Sequence, residues 1–236
     1  MKYSALVPVK KLALAKGRLA SHLSPQQREM LVLDMLYHVI CTLCESEAFE
    51  QIYVVSSDPR VLELAQYWGA EPLAETQQGH NPALLEAART IVERTIWRQE
   101  ARVSPAARST RAATDPRDQL LNAGLLTISA DLPLLTQEDI FLLMRQAEHY
   151  EVVLAASSDG SGTNALLTRP PLALPYLFGP HSLAAYTQAA QVRRISYTLI
   201  HTAHLAFDID TLVDLQKLAC TDHTWSRIAH FAVQAL

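Results

Sequence analysis

Glycine is scarce in this chain, with 7 among 236 residues, and none of them builds a phosphate-cradling loop. The segment after the first predicted strand, PVKKLALAKGRLA at Pro8–Ala20, holds Gly17 alone. That excludes a glycine-rich backbone nest of the dinucleotide-binding kind at this point. Cysteine is also scarce, and its odd count of three argues against a disulfide framework. Cys41 and Cys44 form C-x-x-C, yet no second pair and no nearby histidine completes a zinc set. Both fall in a helical pattern whose apolar stripe runs through Leu33, Leu36, Ile40 and Leu43, so core packing is their expected role. No apolar run reaches about 18 residues and no signal-peptide core is present, so a soluble, cytoplasmic protein without a membrane partner is expected. Basic blocks are missing too. Lysine plus arginine is 20 against 24 acids, a net charge of −4, which argues against a nucleic-acid backbone as partner. Small anionic ligands need only a few placed cations and stay open. No internal repeat is visible.

What is present is a hydrophobic share of 49%, enough for a sizeable core in a chain of this length. Strand and helix patterns alternate throughout. Extended runs are expected at Tyr3–Val9, Gln51–Ser57, Glu71–Ala74, Leu125–Ile128, Val152–Ala156, Ala165–Thr168, Ile195–Ile200 and His204–Phe207. Helices are expected from Pro25 to about Ser46, after Asp58, over Pro82–Trp97, Gln137–His149, Ser182–Gln191, Thr211–Ala219 and His223–Leu236. This alternation predicts an α/β fold, a three-layer, mostly parallel sheet with helices on both faces. One domain over 1–236 is expected. Glu100–Asp118 breaks the pattern: it is rich in Ala, Arg, Ser, Thr and Pro and reads as a mobile surface insertion.

The chemistry centres on Leu125–Leu135, LLTISADLPLL. A hydrophobic strand there delivers one carboxylate, Asp131, at its carboxyl end, where open α/β sheets place ligands. Further on, strand alternation puts Asp208 and Asp210 on one face and Ile209 on the other. Two carboxylates on one face repel unless a cation lies between them, so a divalent metal is expected here. Three loops suit anions. Lys10, Lys16 and Arg18 supply cations after the first strand, as a phosphate site or equally as a solvated basic loop. Asp159–Asn164 (DGSGTN) exposes amides and the Thr163 hydroxyl. Phe178–Ser182 (FGPHS) brings Gly179, Ser182 and helix-start amides together. Gly79-His80-Asn81 precedes a helix, either as a close approach to a ligand or as an ordinary turn and cap.

Taken in order, PVKKLALAKGRLA, GHNPALLEAA, SADLPLL, DGSGTNALL, FGPHS and FDIDTLVDL resemble the 2-phospho-L-lactate or phosphoenolpyruvate guanylyltransferase family. That family serves biosynthesis of the deazaflavin coenzyme F-420 and has the nucleotidyltransferase fold, like nucleotide-diphospho-sugar transferases. The resemblance runs nearly end to end. It implies that Asp131, Asp208 and Asp210 bind Mg2+, and that Thr163, Gly179 and Ser182 hold the phosphorylated three-carbon acid. It implies that Lys10, Lys16 and Arg18 lie near the phosphates of GTP, and Gly79 and Asn81 near its guanine or ribose. The family often carries serine where Gly17 stands and leucine where His80 stands. The implied reaction transfers GMP from GTP to phosphoenolpyruvate or 2-phospho-L-lactate and releases pyrophosphate. Other nucleotidyltransferases of the molybdenum-cofactor type, metal-dependent glycosyltransferases and a non-catalytic nucleotide-binding regulator are the alternatives.

Overall fold

A computed structural model describes residues 2–102 and 123–221, with backbone alone over 99–102. Within the expected insertion, 103–118 lies outside the described residues, as does the expected helix His223–Leu236. The chain runs β1 (Lys2–Val9), α1 (Pro25–Glu45), β2 (Gln51–Ser56), α2 (Pro59–Tyr67), β3 (Glu71–Ala74), α3 (His80–Arg102) and β4 (Ala123–Ile128). It continues through α4 (Gln137–His149), β5 (Val152–Ala156), β6 (Thr163–Thr168), α5 (Ser182–Arg193), β7 (Tyr197–Ile200), α6 (Ala203–Ala206) and α7 (Leu212–Thr221). Helix starts follow local chemistry. The Ser24 hydroxyl accepts from the Gln27 amide while the Gln27 side chain accepts from the Ser24 amide, a reciprocal cap with Pro25 in the first turn. Thr136 and Asp139 do the same for α4.

The strands form one seven-stranded sheet in the order β3-β2-β1-β4-β6-β5-β7. β1 pairs in parallel with both β2 and β4, β2 with β3, and β5 with β7. β6 alone among them runs antiparallel to its neighbours β4 and β5. Successive strand residues face opposite ways, and the two faces are covered separately. Val7, Val54, Leu126 and Val153 pack with the apolar stripes of α1, α2 and α4. Leu6, Tyr53, Leu125 and Leu154 pack with Leu84 and Ile91 of α3 and Tyr186 of α5. The expected three-layer, mostly parallel architecture is what forms. Among the described residues no helix is long and apolar enough to cross a membrane.

Three expectations change. Cys41 and Cys44 do not pack in the core: Cys41 is half-buried and Cys44 is exposed on α1. His204–Phe207 is not a strand; the Thr202 hydroxyl caps a single turn, α6, by accepting from the Leu205 amide. An apolar pair flanked by polar residues reads alike in a short strand and a short helix, and the cap decides. Helix α3 begins at His80 and reaches Arg102, beyond Pro82–Trp97 at both ends.

The chain leaves β1 toward α1 and β2 on one side, while β4 joins β1 on the other. The carboxyl ends of β1 and β4 are therefore the point where strand order reverses, and a crevice opens there in such sheets. A third cluster fixes its rim. Leu19 and Leu23 after β1, Leu31 and Met35 of α1, and Leu215 and Leu218 of α7 enclose Ile209, which is fully buried. Ile209 thereby pins the flanking Asp208 and Asp210. Ile209→Ala should lower unfolding free energy by about 2–5 kcal/mol in urea titration. A loss under about 1 kcal/mol would mean that this cluster does not anchor the segment.

Candidate active site

The crevice is a cavity of about 380 Å³ lined by Lys10, Lys16 and Arg18 after β1, by Ser129 and Asp131 after β4, and by Asp210. β4 is buried along its whole length, so Asp131, three residues beyond Ile128, is where its acid first reaches solvent. Asp208 joins from the side. Carboxylate oxygens of Asp131, Asp208 and Asp210 all lie within 4.8 Å of one another.

Three carboxylates this close repel strongly, and the structure shows what offsets them. Lys16 Nζ lies 2.5 Å from Asp131 Oδ2 and 3.3 Å from Asp210 Oδ1. The Lys16 side chain is only 8% exposed. Burial disfavours its charge, but the Asp131 and Asp210 carboxylates outweigh that and hold its pKa above the usual lysine value. Lys16 is left-handed, with φ 51°, a conformation costly for a residue with a Cβ. Arg18 reaches Asp210 from the exposed side, Nη1 to Oδ2 at 3.0 Å. Among the described residues no cation pairs with Asp208. Burial, and then repulsion from Asp131, push its carboxyl up to about 6, against the opposing hydrogen bond from Asn164. Asn164 is 5% exposed and donates through Nδ2 to Asp208 Oδ1 at 3.2 Å and to the carbonyls of Leu205 and Ala206. The Asp210 and Thr211 amides donate to Asp214, which closes the turn behind the pair.

This donor set fits a divalent cation. Three clustered carboxylates are hard oxygen ligands, and Lys16 offsets only part of their charge. These three acids could hold the ion.

The remaining predicted residues fall into two places. Thr163 and Ser182 meet in the interior: Ser182 Oγ donates to Thr163 Oγ1 at 3.1 Å, and the residues are 1% and 6% exposed. Gly179 precedes them with φ 138°, and its carbonyl accepts from the Ser182 amide. Asp159 organises the neighbouring turn by accepting from both the amide and hydroxyl of Ser161 and from the Ser157 hydroxyl, which hold its pKa low. Gly79 lines a smaller adjoining cavity rather than the main one. The Asn81 side chain is fully engaged: Nδ2 donates to the Phe178 carbonyl and Oδ1 accepts from the Phe178 amide, each at 3.0 Å. Asn81 thus ties the start of α3 to the FGPHS loop.

Sequence reasoning passed over Asn164 and Phe178. A polar Asn164 inside a buried run was the available signal, because such a group must find partners. Phe178 lines the main cavity and contacts His80 and Tyr186 edge-on; nothing in its local sequence marks that.

The profile of the family described as "Guanylyl transferase CofC like" matches residues 3–97 and 116–226. A phosphoenolpyruvate guanylyltransferase from Rubrobacter xylanophilus is 36% identical over 219 residues, 92% of this chain and 94% of its own. A 3-phospho-D-glycerate guanylyltransferase from Colwellia psychrerythraea is 31% identical, covering 93% of this chain and 92% of its own. A 2-phospho-L-lactate guanylyltransferase from Methanothermobacter thermautotrophicus is 29% identical, covering 92% and 84%. Among solved structures, a protein of nucleotide-diphospho-sugar transferase type from Desulfovibrio desulfuricans G20 superposes with a TM-score of 0.71 at 13% identity, over 100% of this chain and 99% of its own. At that identity the likeness concerns the fold alone.

Two outcomes follow from the carboxylate cluster. A carboxyl whose folded pKa exceeds its unfolded value of about 3.9 binds its proton more tightly in the folded protein. Its stabilising contribution is complete below about pH 4 and is lost as pH rises through the folded value of about 6. Cation-free Asp208→Asn should therefore melt above wild type at pH 8, the gap closing as pH falls below 6. A gap independent of pH would contradict the crowding argument. Asn164→Leu should weaken divalent-cation binding by about 10–100-fold in calorimetry, and unchanged affinity would show that Asn164 does not orient Asp208.

Proposed function

The chain belongs to the guanylyl transferase CofC-like family, and on that premise we propose how its site works. It is a nucleotidyltransferase, a guanylyltransferase whose donor is GTP and whose acceptor is the phosphate of a small three-carbon acid, phosphoenolpyruvate or 2-phospho-L-lactate. The product is a guanylylated phospho-acid with pyrophosphate released, a step in making the deazaflavin coenzyme F-420. A cytoplasmic location, where GTP is at hand, belongs to the same proposal. The observation that carries the reading is the meeting of Asp131, Asp208 and Asp210 with Lys16 and Arg18 at the switch point of the sheet.

The nucleophile is an oxygen of the acceptor phosphate, and it attacks the α-phosphorus of GTP. A phosphate monoester has a second pKa of about 6, so it is ionised at neutral pH and needs no general base. The obstacle is the approach of two anions and the charge that builds on pyrophosphate. Mg2+ held by Asp131, Asp208 and Asp210 would neutralise and align the phosphates. Lys16, already desolvated against Asp131, is preorganised to meet phosphate charge without reorganising solvent. Arg18, on the exposed side, suits the departing pyrophosphate, and Lys10 extends the same positive rim. Thr163, Gly179 and Ser182 are assigned to the phospho-acid. The acid would take over the bonds that the Ser182 hydroxyl and amide now donate to Thr163 Oγ1 and the Gly179 carbonyl, and burial would strengthen each of them. Gly79 and Asn81 are assigned to the nucleoside side, Asn81 by holding α3 against the Phe178 loop. One nucleotidyltransferase domain suffices for both substrates.

Incubating the protein with GTP, Mg2+ and, in separate reactions, phosphoenolpyruvate, 2-phospho-L-lactate or 3-phospho-D-glycerate tests the reading. Pyrophosphate and a product whose mass equals acid plus GMP minus water are expected with phosphoenolpyruvate or 2-phospho-L-lactate; release with none of the three would end it. Asp208→Ala should lower kcat by about 10³-fold with the circular dichroism spectrum retained. Ser182→Ala should raise KM for the acid at least about tenfold, the effect of losing roughly 1.4 kcal/mol, while KM for GTP stays within about twofold. Equal effects on both substrates would remove Ser182 from the acid site.

A further inference from the structure

Beside the main cavity lies a second, of about 100 Å³, at the carboxyl ends of β1, β2 and β3. Pro8, Val9, Lys10 and His80 line both, so the two adjoin. The second is too small for a triphosphate. Its walls include Val55, Ala83 and Leu84, flat apolar surface of the kind that covers the face of an aromatic base. One acid lines it, Glu75.

Glu75 directly follows β3, and its amide donates to the Ser56 carbonyl, continuing the pairing of the strand. The next residue is tied down as well, since the Thr76 hydroxyl donates to Glu86 of α3 at 2.5 Å. The backbone carrying the carboxylate is thus held on both sides. Yet among the described residues no hydrogen bond or ion pair engages the Glu75 carboxylate, in a protein where Glu71 takes both Arg94 and Arg98 and Glu29 takes Arg60. A half-buried carboxylate on a braced backbone, lining an apolar slot beside a triphosphate-sized cavity, is arranged for a ligand that offers donors.

We propose that Glu75 reads the base of the nucleotide, accepting the N1–H and the exocyclic 2-amino group of guanine through its two oxygens. This rests on the main cavity being the GTP site. The chemistry discriminates sharply. Guanine alone among the common bases presents two adjacent N–H donors on one edge. Adenine presents a bare acceptor at N1 beside a C–H, and a carboxylate facing it would repel the lone pair. Cytosine and uracil have a carbonyl acceptor at C2 in place of an amine. A charge-assisted pair of bonds is worth far more than contact with the face of the ring, and a site built to bond a group rejects analogues that lack it. Gly79 and Ala83 keep that wall free of long side chains, and His80, which lines both cavities, stands where the ribose would pass between them. Burial and the neighbouring Lys10 keep the His80 pKa below the usual histidine value, so His80 adds no positive charge there at neutral pH.

Replacing Glu75 with glutamine gives a test that does not depend on loss of function. Glutamine offers one acceptor and one donor, which matches xanthine, whose edge has N1–H beside a C2 carbonyl. The experiment measures pyrophosphate release with phosphoenolpyruvate, 2-phospho-L-lactate and 3-phospho-D-glycerate in parallel, so that the acceptor is not assumed. With whichever acid serves, wild type should prefer GTP to XTP in kcat/KM by about 10²-fold or more. Glu75→Gln should lower GTP use by about 10²-fold and use XTP better than GTP. Glu75→Ala should bring GTP and ITP, which lacks the 2-amino group, to within a few-fold of each other. A Glu75→Gln protein that keeps the wild-type preference for GTP over XTP, or loses both nucleotides equally, overturns the assignment while leaving the GTP reading intact. Wild type that releases pyrophosphate from no nucleotide fails that reading itself, a different and separable result.

Discussion

The site depends on mutual repulsion among three carboxylates that the fold refuses to separate. Asp131, Asp208 and Asp210 come from segments far apart in the chain, yet their oxygens lie within 4.8 Å. Left in water they would spread. Here each is held by a different device. Asp131 sits just past the rigid, buried β4. Ile209, buried among α1, α7 and the loop after β1, fixes Asp208 and Asp210 from between. Asn164 donates to Asp208 and to the carbonyls of Leu205 and Ala206. Burial, and then repulsion from Asp131, raise the Asp208 pKa, and the buried Lys16 offsets part of the cluster's charge. A cluster kept short of positive charge is one that binds a cation tightly.

The antiparallel strand brings a second set of loops to that cluster. β1 to β4 form a parallel half whose loops carry Lys10, Lys16, Arg18 and Glu75. β6, inserted between β4 and β5 against the direction of both, brings its first residues, Thr163 and Asn164, to the end of the sheet where β4 finishes. The Ser129 amide donates to the Asn164 carbonyl, joining the two strand ends. Were β6 parallel, its amino end would lie at the opposite edge and Thr163 would be a strand length away from Asp131. Asn81 then closes the assembly by pairing with both backbone groups of Phe178.

Much of this was legible in the chain itself. Caps such as Ser24-Pro25 and Thr136, and apolar runs such as Val152–Ala156, rest on local chemistry, so the elements appear almost as expected. Asp131 was legible because an acid at the end of a hydrophobic strand has few structural reasons to be there. The insertion of β6 was not, because a hairpin between β5 and β6 says nothing of which third strand accepts it. The turn at Ala203–Ala206 was not, because one capped turn is too short to show a period. Nothing in the spacing sets Lys16 apart from Lys10 and Arg18. Its contact with Asp131 lies 115 positions along the chain, and spacing cannot reveal that. The pairing of Asn81 with Phe178, 97 positions apart, was hidden in the same way.

Lys16 brings these strands of argument together. Lys16 takes a left-handed conformation, costly for a residue with a Cβ, and its contacts with Asp131 and Asp210 offset that cost. That side chain is spent in the cation-free protein on Asp131 and Asp210, the acids assigned to the cation. On the proposed function, a divalent ion held by these acids would supply the charge that Lys16 now gives them, and the ammonium group would be left to face the phosphates of the nucleotide. The same buried cation would then serve carboxylate and phosphate in turn. A loop after β1 that offers one placed, already desolvated charge would in that case do the work of a nest of backbone amides.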